Sequence, residues 1–366
     1  MVEKPKRKIP LTRPIECKGV HVYPSEVARS DWWTEGPWVD RFERMVAERV
    51  GAKYAIAVPN ATIGLEMVLK IEEIFADSIY LPAYTHPATA LAIIRAGYGL
   101  YFCDIDKRTG LVKNFNDNST PRLFPCFEAV PVSLFGNKTN VEGVIVEDAA
   151  CSLGTEGVGD DHTCVFSFHP RKIISTGEGG MITTNDHGLA KELRKYKNFG
   201  MSPVLDFYEM NLKMFCGTNY KMSDFTGAIG VAQMEILDDV LKDRRDAAQI
   251  YDELLFLLHA HHLISFLESY NDASNYQSYV IIVNNRDEVI KRMADRGVET
   301  QIGSHCLPTL EEFEEWVDID KHFPGAEFAA SHYLTLPLYY GIKEEDQEYV
   351  VNCLTEVLED IEERRK

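Results

Sequence analysis

Apolar residues recur along this chain in two rhythms, and the switching between them predicts most of its elements. Phe42, Met45, Val46 and Val50 fall at helical spacing and Gly51 follows, so residues 39–50 read as an amphipathic helix closed by a glycine C-cap. A short apolar run, Tyr54–Val58, then meets Pro59 and Asn60. Ile63, Leu65, Met67, Val68 and Leu69 mark the helix that follows, which completes a strand, a tight turn and a helix. The unit recurs. Residues 79–81 precede Pro82 and an alanine-rich helix, and residues 100–103 form a strand. Residues 143–146 form another strand that ends in Glu147 and Asp148, and residues 181–184 add one more after a glycine-rich turn. Strands alternating with helices predict an α/β fold with a mostly parallel sheet.

Residues 225–258 are helical in pattern almost throughout, the length of a helix or helix pair that links two domains. Beyond them Tyr279–Val283 reads as a strand. Residues 345–363 read as a helix with Val350, Leu354, Val357, Leu358 and Ile361 on one face. The expected organisation is a large domain over residues 1–244, N-terminal segment included, and a smaller α+β domain over residues 245–366.

Composition narrows the function classes. The 366 residues are 45% hydrophobic, enough for a large core, and a net charge of −19 repels a phosphate backbone and an anionic membrane surface. Nucleic acid and membrane are therefore not expected partners. No apolar run approaches the roughly 20 residues that span a bilayer, and the basic residues 1–14 have no apolar stretch behind them. Cys17, Cys103, Cys126, Cys151, Cys164, Cys216, Cys306 and Cys353 are scattered without a CxxC or CxxH pair. They read as reduced thiols of a cytoplasmic protein, with no metal site.

The chemistry concentrates in residues 164–186, CVFSFHPRKIISTGEGGMITTND. A strand carries Ser167, a turn passes through His169 and Pro170 to Lys172, and Gly177-Glu178-Gly179-Gly180 leads into the next strand. Alone, a lysine there is a solvated loop residue. Upstream, however, VIVEDAACSLG (residues 144–154) ends an apolar strand in an acidic pair, where parallel-sheet proteins bind ligands. Such a carboxylate could cap a helix or bind a metal, but no His or Cys cluster in the sequence supports a metal. Pyridoxal phosphate needs a lysine for its Schiff base, an acid to keep its ring nitrogen protonated, and a cradle for its phosphate. Lys172 and Asp148 supply the first two. For the third, VPNATIGLEM (residues 58–67) offers the N–H groups of Ala61 and Thr62 at a helix start, with the Thr62 hydroxyl beside them. Asn60 also reads as a plain N-cap.

An ordered set of motifs extends these residues over nearly the whole chain: WWTEGPWVDRFERMVAERVGAKYAIAVPNATIGLEMVLK, LPAYTHPATALAIIRAGYGLYFCDID, PVSLFGN, VEDAACSLGTEGVG, SFHPRKIISTGEGGMITTND, GTNYKMSDFTGAIGVAQ and LTLPLYYGIKEEDQEYV. From about residue 31 to residue 350 the chain resembles the DegT/StrS-type nucleotide-sugar aminotransferases. The resemblance implies a fold type I pyridoxal phosphate transferase: a large domain around a mostly parallel seven-stranded sheet, a smaller C-terminal domain, and a homodimer with active sites at the subunit interface. It implies that Lys172 is the Schiff-base lysine and Asp148 the partner of the ring nitrogen. Ala61, Thr62 and Ser167 would hold the phosphate within one subunit, while Asn219 would reach it from the other. His86 takes the place of an aromatic residue that stacks on the ring, and Glu178 and His305 lie near the sugar.

Three features depart from the family pattern. Ala61 replaces a Gly, Cys151 stands where a Gln or His contacts the cofactor's phenolic oxygen, and the stretch between Asn137 and Val144 is shorter than in typical relatives. The expected reaction is transfer of an amino group from L-glutamate to a nucleotide-linked keto-deoxysugar of the 4-keto-6-deoxyhexose type, with pyridoxamine phosphate arising during turnover. Two alternatives belong beside it. A sugar 3-dehydratase of the same family has His where this chain has Lys172. A binding or regulatory relative that has lost catalysis would fit Cys151 and His86 but not the joint presence of Lys172 and Asp148.

Overall fold

A computed structural model describes residues 7–112, 128–141, 144–201, 217–317 and 321–364. In chain order the strands are β1 (Tyr54–Val58), β2 (Ser78–Pro82), β3 (Tyr84–Thr85), β4 (Gly99–Cys103), β5 (Glu147–Asp148), β6 (Cys164–Ser167), β7 (Gly180–Thr184), β8 (Ile264–Phe266), β9 (Tyr279–Val283), β10 (Gln301–Ile302), β11 (His305–Cys306) and β12 (Tyr333–Leu336). The α-helices are α1 (Lys18–Ala28), α2 (Pro37–Val50), α3 (Ala61–Ile71), α4 (Pro87–Ala96), α5 (His187–Tyr196), α6 (Asp224–Met234), α7 (Leu237–Ala260), α8 (Arg286–Asp295), α9 (Pro324–His332) and α10 (Glu344–Glu363).

The large sheet runs β1-β7-β6-β5, continues through the bridged residues 129–132, and ends with β2-β4. That makes seven strands among the described residues, and only β7 runs against its neighbours. Side chains of successive strand residues point to opposite faces, so a sheet covered on both faces needs apolar residues at every position. The sequence obeys this: Ile56, Val58, Val165 and Ile182 join one apolar core with Leu65 and Val68 of α3. Ala55, Ala57, Cys164, Phe166 and Met181 join another with Phe42 and Val46 of α2. A third core gathers Tyr251, Leu255 and Leu258 of α7 with Val350, Leu354, Val357, Leu358 and Ile361 of α10, over a four-stranded antiparallel sheet ordered β10-β12-β9-β8.

The predicted elements recur with shifted ends. The helix expected over residues 39–50 starts at Pro37, a proline at N1, and stops at Gly51, whose φ of +75° makes it the left-handed cap. The long helical stretch is a pair, α6 and α7, broken at Glu235-Ile236. The alanine-rich helix starts only at Pro87, because Tyr84–Thr85 first pairs with His305–Cys306. The strand expected over residues 143–146 narrows to an isolated bridge from Val144 to Ala129 ahead of β5, and Gly143 lies outside the described residues, as do Cys126 and Cys216. Helix α1, which contains Pro24, gave no periodic signal in the sequence.

Candidate active site

The sheet register assembles the site. Val58 of β1 pairs with Gly180 of β7, and Gly180 pairs with Ser167 of β6, so three residues far apart in sequence share one rung. The chain leaves that rung at Pro59 and starts α3 at once, with Asn60 Oδ1 accepting from Ile63 N at 2.9 Å as the N-cap. Among the described residues the Ala61 and Thr62 N–H groups, at the first two positions of α3, have no hydrogen-bond partner. Gly180 is needed for this approach: a Cβ there would stand 2.6 Å from the Asn60 carbonyl carbon and 2.8 Å from Ala61 N. Two orphaned donors at a helix N-terminus, beside the rung that carries Ser167, form an anion cradle of the kind a phosphate dianion fills.

Asp148 ends β5 two rungs from that one, opposite Val165. It is buried, and its oxygens are committed: Oδ2 accepts from the Thr89 hydroxyl at 2.7 Å, and Oδ1 accepts from Ala150 N at 3.1 Å. Both contacts are donors to the side chain and fix its orientation. Thr89 is fully buried on α4 and had no sequence signal of its own.

Lys172 follows the β6 turn, where its N–H donates to His169 O at 2.8 Å. Its Nζ donates to Cys151 Sγ at 3.1 Å, so the cysteine that departs from the family pattern faces the lysine. Asn275 Nδ2 fixes that loop by donating to both Cys151 O and Leu153 O at 2.9 Å. His86 caps α4 with Nδ1 accepting from Ala88 N at 3.1 Å. Partial desolvation and then the Lys172 charge push the His86 pKa below the ordinary imidazole value, against the pull of Asp148. His86 thus presents a neutral ring to the site at neutral pH.

His305 comes from 219 residues further along by pairing: it lies opposite Thr85 in the β3/β11 ladder, and its ring stands edge-on to His86 with centroids 6.5 Å apart. The Arg171 guanidinium donates to Gln301 Oε1 at 2.9 Å and ties the lysine turn to β10. Glu178 is exposed, its carbonyl accepting from Thr176 Oγ1 at 2.9 Å. Asn219 is also exposed, in a backbone bridge with Asn198, and among the described residues no hydrogen bond joins it to Lys172, Asp148, Ser167 or α3. The structure therefore brings Ala61, Thr62, Ser167, Asp148, Cys151 and Lys172 to the carboxyl ends of one set of strands, with His86 and His305 at the rim.

The fold also places His162 and Cys164 next to Glu147, with side-chain N, S and O atoms of the three within 4.8 Å of one another. The three are brought together by the β5/β6 pairing, which no local spacing encodes.

These residues fit pyridoxal phosphate: unpaired donors for its phosphate, a buried carboxylate for its ring nitrogen, an amine for its aldehyde and a flat ring at its face. The comparisons with known proteins agree. Residues 21–355 match the DegT/DnrJ/EryC1/StrS aminotransferase family. The chain is 28% identical to the spore coat polysaccharide biosynthesis protein SpsC of Bacillus subtilis, over 98% of this chain and 99% of that one. It is 29% identical to GDP-perosamine synthase of Caulobacter vibrioides, over 88% and 91% of the two chains. The crystal structure of the aminotransferase TlmJ from Streptoalloteichus hindustanus superposes with a TM-score of 0.85 at 26% identity, over 96% of this chain and 99% of TlmJ. The chain belongs to the DegT/DnrJ/EryC1/StrS aminotransferase family and is a fold type I, pyridoxal-phosphate-dependent aminotransferase.

Proposed function

We propose that this protein transfers an amino group from L-glutamate to a nucleotide-linked keto-deoxysugar, of the 4-keto-6-deoxyhexose type. The observation that carries this reading is the meeting of Lys172, Asp148, Ser167 and the free N–H groups of Ala61 and Thr62 at one end of the sheet, in a chain of this family. Likeness to GDP-perosamine synthase supports a nucleotide-sugar acceptor.

When bound, pyridoxal phosphate supplies an electron sink that stabilises negative charge at the carbon next to the transferred nitrogen. The chain's residues do the rest. Ala61, Thr62 and Ser167 hold the phosphate by hydrogen bonds at the positive end of α3. Asp148, oriented by its hydrogen bonds from Thr89 and Ala150, would attract a positive charge on the ring nitrogen. His86 would offer an uncharged face to the ring. Lys172 would anchor the cofactor through its amine, and the same amine would serve as the acid/base that moves a proton at the reacting carbons. Cys151, within reach of Lys172 Nζ, gives the free amine an acceptor that orients it. His305 and Glu178 face the sugar.

The same reading makes the enzyme a cytoplasmic homodimer, with Asn219 of each subunit completing the phosphate site of the other. It divides the chain into a cofactor domain, residues 1–244, and a smaller domain, residues 245–366. No helix among the described residues is long and apolar enough to cross a membrane. A panel of nucleotide-linked keto sugars assayed with glutamate tests the proposal. Amination of one of them is the expected result, and activity confined to free keto acids would overturn it.

A further inference from the structure

The residue before Asp148 carries a second constellation that the transamination chemistry does not use. Glu147 is fully buried. Its Oε1 accepts from the Ser133 hydroxyl, and its Oε2 lies 2.5 Å from Nε2 of His162. The other nitrogen of that ring, Nδ1, lies 2.5 Å from Asp161 Oδ1. Cys164, also fully buried, directs its thiol at Glu147 from 3.9 Å. The titratable groups around the imidazole are thus Glu147 from β5, Asp160 and Asp161 from the loop before β6, and Cys164 from β6; Ser133, whose Oγ also accepts from Thr139 N, closes the remaining side.

A carboxylate, an imidazole and a thiol have the composition of a zinc site, but the spacing rules against one. Two ligands about 2.0–2.1 Å from a tetrahedral zinc ion stand about 3.3 Å apart, whereas Nε2 and Oε2 are at hydrogen-bond distance, 2.5 Å. Each ring nitrogen faces a carboxylate, an acceptor without a proton of its own. A neutral imidazole has a single N–H and satisfies one of the two contacts; the imidazolium satisfies both. Burial alone would lower the His162 pKa. The hydrogen bond and charge of Glu147, with Asp161 behind them, outweigh it and hold the pKa above the ordinary imidazole value.

Glu147 also sits where the strands that fix Asp148 meet. Its N–H donates to Thr163 O at 2.9 Å, Asp148 N donates to Pro131 O at 2.9 Å, and Ser133 N donates to Asp148 O at 3.0 Å. The Glu147 side chain grips the same two flanks, Ser133 on one and His162 on the other, and β5 is only two residues long. We propose that the His162 imidazolium, held between Glu147 and Asp161, is a positioning residue for the reaction: it neutralises the buried Glu147 carboxylate, keeps β5 seated, and so keeps Asp148 aimed into the site. This rests on the assignment of Asp148 as the partner of the cofactor ring.

Loss of the proton leaves one of the two contacts as an acceptor against an acceptor, beside a buried charge without its counter-ion. Because the folded pKa is raised, the clamp is complete below the ordinary imidazole range and is lost as pH rises through the higher folded value. The test measures the dissociation constant of pyridoxal phosphate, and the near-ultraviolet circular dichroism of the bound cofactor, from about pH 6 to about pH 10. Wild type, His162→Gln, Asp161→Asn and Asp148→Asn are compared. The expected result is an alkaline loss of cofactor affinity of about tenfold in wild type, one pKa unit of coupling. In His162→Gln affinity is already weak at the acid end and this limb is absent. Asp161 is exposed, so its variant keeps the fold and moves the limb to lower pH. Limbs that coincide in wild type, His162→Gln and Asp161→Asn would overturn the proposal even if the variants melt earlier. Should His162→Gln fail to fold, an unmoved limb in Asp161→Asn overturns it alone. If Asp148→Asn leaves affinity and dichroism unchanged, the assignment of Asp148 fails instead.

Discussion

Thr89 and Asp148 lie 59 residues apart in sequence, and the threonine hydroxyl donates to the aspartate at 2.7 Å in a fully buried contact. Helix α4 thereby holds the carboxylate that β5 presents. Thr89→Val keeps the shape and removes the donor, which leaves a buried charged acceptor short of one bond and costs about 1–3 kcal/mol. Thermal unfolding of the variant should show that loss, together with weaker cofactor binding. An unchanged melting temperature and affinity would mean that the contact adds nothing to the site.

Lys172→Ala should abolish turnover and covalent capture of the cofactor, because no other amine occupies that turn. Borohydride reduction followed by peptide mapping should place the cofactor on Lys172 in the parent. Capture on any other lysine would refute the assignment.

Asp148→Asn should lower turnover by several orders of magnitude with the fold intact, since a neutral amide cannot hold a proton on the ring nitrogen. Steady-state rates and far-ultraviolet circular dichroism measure both halves of that statement. Turnover within about tenfold of the parent, some 1.4 kcal/mol, would assign the role to another residue.

Gly180 and Gly177 separate two uses of glycine within one turn. At Gly180 a Cβ would meet the Asn60 carbonyl carbon at 2.6 Å, while nothing lies within 4 Å of the Gly177 position. Gly180→Ala must push β7 away from the start of α3, and backbone shifts of this kind cost about 1–3 kcal/mol. Its signature is weaker phosphate binding, read as a higher dissociation constant for pyridoxal phosphate. Gly177, at a φ of +85°, should lose stability on substitution by Ala through backbone strain while cofactor affinity stays close to that of the parent.

Asn219→Asp and Lys172→Ala should each be nearly inactive alone. If Asn219 serves the partner's phosphate, mixing them under subunit exchange yields heterodimers in which one site has an intact Lys172 and an intact Asn219, and activity returns. Demonstrated exchange without recovered activity would remove the shared site.

The elements were legible where a period was clean. Tyr54–Val58 and Tyr279–Val283 are strands with the bounds their apolar runs suggest, and the apolar stripe from Val350 to Ile361 is the buried face of α10. Lys172 and Asp148 were legible because each sits at or after a strand end, where chemistry collects in parallel sheets; Ser167 came from the family resemblance. Thr89, the role of Gly180, and the His162–Glu147 clamp were not. Each depends on which strands lie side by side, and register is set by packing over hundreds of residues rather than by nearby sequence. For the same reason nothing in the spacing of His305 pointed to His86; only family resemblance placed it near the site, and the two-residue β3/β11 ladder supplies the physical route.

That ladder has an evolutionary consequence. Asp148, Ser167 and Lys172 are rooted in or just after strands of the large sheet, whereas His305 arrives on β11, a two-residue strand that pairs with β3 and is tied to the site side by the Ser304–Tyr84 and Arg171–Gln301 contacts. Substitutions at His305, half-buried at the rim, can reshape the mouth without touching the rung of Val58, Gly180 and Ser167. Descendants of such a chain can change the molecules they accept while inheriting the reaction intact.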